Sequence, residues 1–362
     1  MKHIILLLLL FISAPLLAQQ RFVQEFRTER NDGAVGVQQV ENNAFLMLNQ
    51  RFGLTGADSF GINLTKMSDL GRQRWSRDYN FDFPVLAGDL AWWPEKNAYL
   101  VSASPAVDSV RDNIVARFNT LGGLEWARRL DTDSLVQPEN TGRSKIVVLP
   151  DSTFVVAAGA GSVTNLPGEN DILLSKLDEN GELLWSRRYC FSCLGDNDAL
   201  LGDLIQTSDG GFLISGSVRS ELSFGAHWDA LLIKTDSAGQ ISWTRSYDAN
   251  SIANVYELKA WNLAEPKPGQ YLWTGDFIHP DSADTDGVFV LVNASDTIPF
   301  ATRWNLAGSK TQLSTFDLLL QDTSGKGLWS WPAALFRIPC QRQRGSIIFG
   351  GCARRQFASR LG

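Results

Sequence analysis

Asp229–Tyr247 reads DALLIKTDSAGQISWTRSY, and this stretch returns with drift along the chain. From Lys234 the pattern steps to Asp236, Gly239, Trp243, Arg245 and Tyr247. The same steps from Lys176 meet Asp178, Gly181, Trp185, Arg187 and Tyr189. From Lys66 they meet Ser68, Gly71, Trp75, Arg77 and Tyr79, and from Arg117 they meet Asn119, Gly122, Trp126, Arg128 and Leu130. A worn copy runs from Leu291 through Asn293, Asp296, Phe300 and Thr302 to Trp304. Each copy reads as a hairpin. An apolar run forms a buried strand. Asp-x-x-Gly supplies a side chain that bonds nearby backbone and a residue that tolerates positive φ. Trp, Arg and Tyr then alternate onto one face of the returning strand.

A second motif falls between the hairpins, most clearly as IQTSDGGFLISG over Ile205–Gly216. Its aromatic anchors Phe45, Tyr99, Phe154, Phe212 and Tyr271 are spaced by 54, 55, 58 and 59 residues. The anchors Trp75, Trp126, Trp185, Trp243 and Phe300 are spaced by 51, 59, 58 and 57. Both series share one period, and it holds two hairpins, or four strands. That is one blade of a β-propeller. The expected fold is an all-β propeller of about six blades, or a truncated seven or eight. Blades are expected over 35–79, 80–130, 140–189, 199–247 and 254–304, with a sixth beginning at Thr311–Ser330. Gln20–Arg27 has the alternation of a last strand and is expected to close the ring, which removes an open sheet edge.

Residues 1–18 have the charged start, apolar core and small final residue of a cleaved signal peptide, so export is expected to the periplasm, the cell surface or the medium. The repeats fill 19–330. Residues 331–362 break the pattern in mid-blade, with six Arg, two Cys and no acidic residue. They are expected to be either a divergent last blade or a frameshifted tail. The 362-residue chain carries 33 Lys and Arg against 39 Asp and Glu, a net charge of −6. That balance argues against a general nucleic-acid binder. No segment beyond the leader is apolar enough for a membrane span.

Candidate chemistry is sparse. After the leader only His227 and His279 remain, and they fall in equivalent loops beside Asp229 and Asp281. A metal site there is weighed against simple loop positions. Cys190-Phe-Ser-Cys193 closes a hairpin. In an exported protein it is expected to form a local disulfide, with unpaired and metal-bound states as alternatives. Asp281, Asp284 and Asp286 resemble part of a calcium loop, but Asn293 stands where an EF-hand needs its final Glu. No cofactor is expected, and a looser calcium loop is the alternative to a solvated turn. The Lys, Asp and Arg repeated in each blade are expected to pair between blades.

Asp178-Glu-Asn-Gly181-Glu-Leu-Leu-Trp185 and QTSDGGF together resemble the tandem propeller repeats of secreted and surface proteins of Bacteroidetes. More distantly, the hairpin resembles the tryptophan-docking motif of quinoprotein-like propellers. That second resemblance implies that Trp75, Trp126, Trp185 and Trp243 dock one blade on the next. The first expectation for function is therefore an exported, non-enzymatic binding or scaffold protein. A protein or glycan partner would dock on its loops or central channel. The alternative is a quinoprotein-like or glycan-active enzyme. The former would be expected to use a vicinal Cys pair, which Cys190 and Cys193 are not. The channel discriminates: repeat-equivalent residues there favour the scaffold, and convergent Asp, Glu and Arg favour the enzyme.

Overall fold

The computed structural model describes residues 32–304 except 53–59, 107–112, 131–142, 162–169, 191–197, 223–224, 248–256, 279–284 and 296–299, together with 339–341 and 346–348. The chain is a β-propeller, with five four-stranded antiparallel blades among the described residues. Blade 1 holds β1 (Asp32–Gln39), β2 (Phe45–Phe52), β3 (Phe60–Met67) and β4 (Gln73–Tyr79). Blade 2 holds β5 (Val85–Trp93), β6 (Ala98–Pro105), β7 (Asn113–Asn119) and β8 (Leu124–Leu130). Blade 3 holds β9 (Ser144–Val148), β10 (Phe154–Gly161), β11 (Asn170–Leu177) and β12 (Leu183–Tyr189). Blade 4 holds β13 (Ala199–Gln206), β14 (Phe212–Leu222), β15 (Gly225–Thr235) and β16 (Ile241–Tyr247). Blade 5 holds β17 (Glu257–Lys267), β18 (Gln270–Ile278), β19 (Thr285–Asn293) and β20 (Phe300–Trp304). Within each blade the strands pair in chain order, and one parallel pair, Trp228 with Glu257, links blades 4 and 5. In the tail, β21 (Pro339–Gln341) pairs with β22 (Ser346–Ile348). The leader, the closing strand at Gln20–Arg27 and the sixth blade at Thr311–Ser330 lie outside the described residues.

The core is divided among the blade interfaces. Leu231 and Ile233 face blade 3, while Ala230 and Leu232 on the same strand face blade 5. A strand alternates its side chains, so a strand sandwiched between two blades must be apolar on both faces. This explains the unbroken apolar runs of the middle strands; every residue of β6 is buried. The outermost strands have one blade face and a wet rim, and β16 alternates accordingly.

The repeated turn closes as its residues require. Asp178 Oδ1 accepts hydrogen bonds from the backbone N–H of Asn180 at 2.9 Å and of Glu182 at 2.8 Å. Asp236 repeats this with Ala238 at 2.9 Å and Gln240 at 2.8 Å. Asn119 and Ser68 substitute for Asp in blades 2 and 1. Gly181 and Gly239 adopt φ of +78° and +74°. A second constraint acts on the same glycines. A Cβ on Gly181 would sit 2.9 Å from the Trp126 ring, and one on Gly239 would sit 2.8 Å from Trp185. The indole of one blade thus rests on the turn of the next. Trp126 also stacks on Phe154 at 6.2 Å, and Trp185 packs beside Phe212 at 6.4 Å.

The repeated lysines pair within their own blades, not between blades as expected. Lys176 meets Asp151 at 2.8 Å, Lys234 meets Asp209 at 2.8 Å, and Lys66 meets Glu41. The partner lies in the tight turn of the same blade's first hairpin, which the register brings beside the lysine. The arginine two residues after Trp does cross to the next blade. Arg245 donates to the carbonyls of Asn293 at 3.0 Å and Ala294 at 2.6 Å.

Two outcomes follow for stability. Trp185→Ala should cost roughly 3 kcal/mol, the low end for a large aromatic because the ring is only partly buried. Gly239→Ala should also destabilise, through both φ and the indole contact. Denaturant unfolding measures both. Burial pulls Asp209 upward, but hydrogen bonds from Lys234, Thr207 and Gly211 outweigh it and carry its pKa down to about 2. Its stabilisation is therefore whole above the unfolded value of about 3.9 and lost as pH falls toward 2. The stability gap between wild type and Asp209→Asn should be full at pH 5 and closed near pH 2.

Candidate functional site

The first strands of successive blades pack against one another at the inner edge, the side on which a propeller has its channel. Four of the five contain a β-bulge, with Val35, Gly88, Gly202 or Trp261 as the extra residue. Gly88 and Gly202 leave room for the neighbouring blade. A Cβ there would lie 1.9 Å from Ser144 Oγ and 2.1 Å from the Ala260 carbonyl, respectively. In blade 5 the bulge instead carries an indole, and a bulge re-aims the side chain it holds.

The residue after the bulge staples one blade to the next. Asp89 Oδ2 accepts from the Ile146 N–H at 3.0 Å, and Asp203 Oδ2 accepts from the Leu263 N–H at 2.9 Å. Lys145 holds the equivalent place in blade 3 and lies 3.7 Å from Asp203 Oδ1. Gly36 and Asn262 complete the series, so five equivalent positions hold Gly, Asp, Lys, Asp and Asn. Burial pushes the Asp89 carboxyl above the ordinary carboxylate range against the pull of Lys145 and two backbone N–H groups.

A denser cluster stands around the start of β17, at the blade ends opposite the Asp-x-x-Gly turns. Arg143, just before β9, reaches across blade 4. Its guanidinium donates to the Leu201 carbonyl at 3.4 Å and lies over the Trp261 ring, 3.8 Å from the centroid. The Trp261 indole N–H donates to Asp276 Oδ1. Asp276 stands opposite Lys259 in the ladder. Lys259 pairs with Glu257 at 2.8 Å and sits 5.7 Å from the centroid of Trp228. Three blades thus converge two carboxylates, two cations and two indoles. Burial pushes the Asp276 carboxyl up, and the bond from Trp261 and the charges of Lys259 and Arg143 offset this only in part.

The residues singled out in the sequence lie elsewhere. His227 Nε2 is 3.4 Å from Asp229 Oδ1, with both side chains buried. By alternation this pair shares the face of Leu231 and Ile233, toward blade 3 and away from Trp228. Cys190 is disulfide-bonded, and Cys193 lies outside the described residues. Asp281, Asp284 and His279 also lie outside them, while Asp286 pairs with Phe277 in the β18–β19 ladder. Trp75 and Trp126 meet the turn glycines Gly122 and Gly181, Trp185 meets Gly239, and Trp243 packs beside Tyr271 at 5.9 Å. Among the described residues no three metal-ligating side chains gather, and no helix is long and apolar enough to cross a membrane. The Trp261 cluster was missed, though a signal existed. The fifth residue after each aromatic anchor is Gln50, Ser104, Gly159, Ser217 or Asp276, and only blade 5 supplies a carboxylate.

No protein-family model matches the chain, and no curated protein matches it. Among solved structures it is similar to an apocarotenoid oxygenase from Synechocystis, at 9% identity and a TM-score of 0.46, covering 77% of this chain and 63% of the oxygenase. It is also similar to a polysaccharide lyase at 8% identity and a TM-score of 0.46, covering 80% of this chain and 76% of the lyase. A β-1,2-mannobiose phosphorylase from Listeria innocua matches at 11% identity and a TM-score of 0.38, covering 75% of this chain and 93% of that one. The likeness is one of fold, and no substrate is taken from it. The expectation of a non-enzymatic scaffold is corrected here. What counts against it is the gathering of Asp276, Glu257 and Arg143 around Trp261, side chains that are not repeat-equivalent, as the alternative requires.

Asp89 gives a pH-dependent outcome. A raised carboxylate pKa costs stability as pH climbs through it and nothing below the unfolded value. Asn at this position keeps an acceptor for the Ile146 N–H. Asp89→Asn should therefore unfold at a higher temperature than wild type at pH 8, with the gap closing toward pH 4.

Proposed function

We propose that the protein is an exported carbohydrate-active enzyme that cleaves a glycosidic bond at the Trp261 cluster. The observation that carries this reading is the contact of Trp261 with Asp276 under Arg143. Arg143 covers one face of the indole and Asp276 takes its N–H, so in this reading the opposite apolar face meets the C–H face of a sugar ring. The carboxyl beside it is held above its usual range, as suits a general acid that must keep its proton until the leaving oxygen takes it.

In this reading Asp276 protonates the glycosidic oxygen. Glu257, held by Lys259, supplies the second carboxylate: as base it takes a proton from the water that bonds to the anomeric carbon as the C–O bond breaks, or as nucleophile it bonds to that carbon first and water then displaces it. Trp261 and Trp228 seat sugar rings. The leader sequence and the resemblance to exported Bacteroidetes repeats support action outside the cytoplasm, where polysaccharides are met.

The test is a polysaccharide panel offered to the purified mature chain, with new reducing ends measured. Asp276→Asn should lower kcat by about 10²- to 10⁴-fold while keeping the thermal unfolding midpoint near wild type. No cleavage across neutral and acidic glycans, or full activity in Asp276→Asn, would overturn the reading.

A further inference from the structure

Arg143 belongs to blade 3, yet it contacts blade 4 through the Leu201 carbonyl and blade 5 through Trp261. It therefore spans a whole blade to reach the group that bonds Asp276. A cation over an indole face is held by the ring quadrupole, and the planar guanidinium is suited to that contact. Trp261 is unpaired in the backbone ladder, and its side chain is held by its N–H bond to Asp276 and by Arg143 over its face. Its position is equivalent to Gly88 and Gly202, which in blades 2 and 4 is occupied without any side chain.

We propose that Arg143 is a positioning residue: anchored on blade 4, it pins the Trp261 indole so that its N–H stays on the Asp276 carboxylate, which ties the site to the packing of blades 3, 4 and 5. This rests on the reading of Asp276 as the acid only for its catalytic consequence; the structural coupling stands independently. The charged groups facing Asp276 are Lys259 on β17 and Arg143 itself. Removing Arg143 takes away one cation and frees the indole. Both changes disfavour the carboxylate, so the Asp276 titration must move upward.

The experiment follows two signals in the full mature chain by NMR. One is the Trp261 indole N–H, assigned through Trp261→Phe. The other is the Asp276 side-chain carboxyl, assigned through Asp276→Asn. In Arg143→Ala the indole signal should shift and broaden, and the carboxyl midpoint should rise. Arg143→Lys should restore the charge but not the planar contact, so the midpoint should return partway while the indole signal stays displaced. If the chain cleaves a glycan, the acidic limb of its kcat profile should move with the carboxyl midpoint. Unchanged indole and carboxyl signals in a folded Arg143→Ala chain would overturn the proposal. Moved signals in a chain that cleaves no glycan would keep the positioning role and discard the enzymatic reading. Should Arg143→Ala fail to fold, Arg143→Lys alone decides through the indole signal.

Discussion

The structure depends on one repeated contact, the indole of blades 1, 2 and 3 seated on the turn glycine of the next blade. That glycine has two reasons to lack a side chain: it turns the hairpin at positive φ, and it leaves the space the ring fills. Because both demands fall on one residue, hairpin closure and blade docking are not separable. A blade that forms its turn presents the seat, and the preceding blade supplies the ring. The arginine two residues on from Trp adds a polar tie in the same place, and the lysine pairs inside its own blade, where it fixes one hairpin to the other.

The same logic runs differently at the inner edge. There the blades approach so closely that backbone meets backbone, and Gly88 and Gly202 are required by distance, not by φ. Asp89 and Asp203 then accept N–H groups from the neighbouring strand, which binds the inner rim as the Trp–Gly contact binds the outer one. Neighbouring blades tied at both edges make a firm frame, and function can be placed on such a frame without weakening it. Blade 5 departs from the rule. Its bulge carries Trp261, and its second strand carries Asp276.

Much of this was legible in the sequence because it repeats. The period, the hairpins, the turn glycines and the division into blades all rest on residues that recur in register, and recurrence separates them from chance. The pairing partners of the repeated lysines were not legible, since a carboxylate in the same blade and one in the next are equally plausible until the register of β10 with β11 or β14 with β15 is known. The Trp261 cluster was harder still. Arg143, Trp261 and Asp276 are far apart in the chain, belong to no motif and matter because they break the repeat. Comparing the fifth residue after each aromatic anchor would have isolated Asp276, but not its indole partner, which depends on a bulge.

A glycan-cleaving site built where blade 5 departs from the repeat would make a definite geometric demand on its substrate. The most direct measurement is a crystal structure of Asp276→Asn bound to an oligosaccharide cut by the wild-type chain. A sugar ring should lie against Trp261, with the glycosidic oxygen within about 3 Å of the side chain at position 276, the reach of a proton donor. A sugar bound on the outer strands or elsewhere, with the Trp261 cluster untouched, would contradict the glycan-cleaving reading.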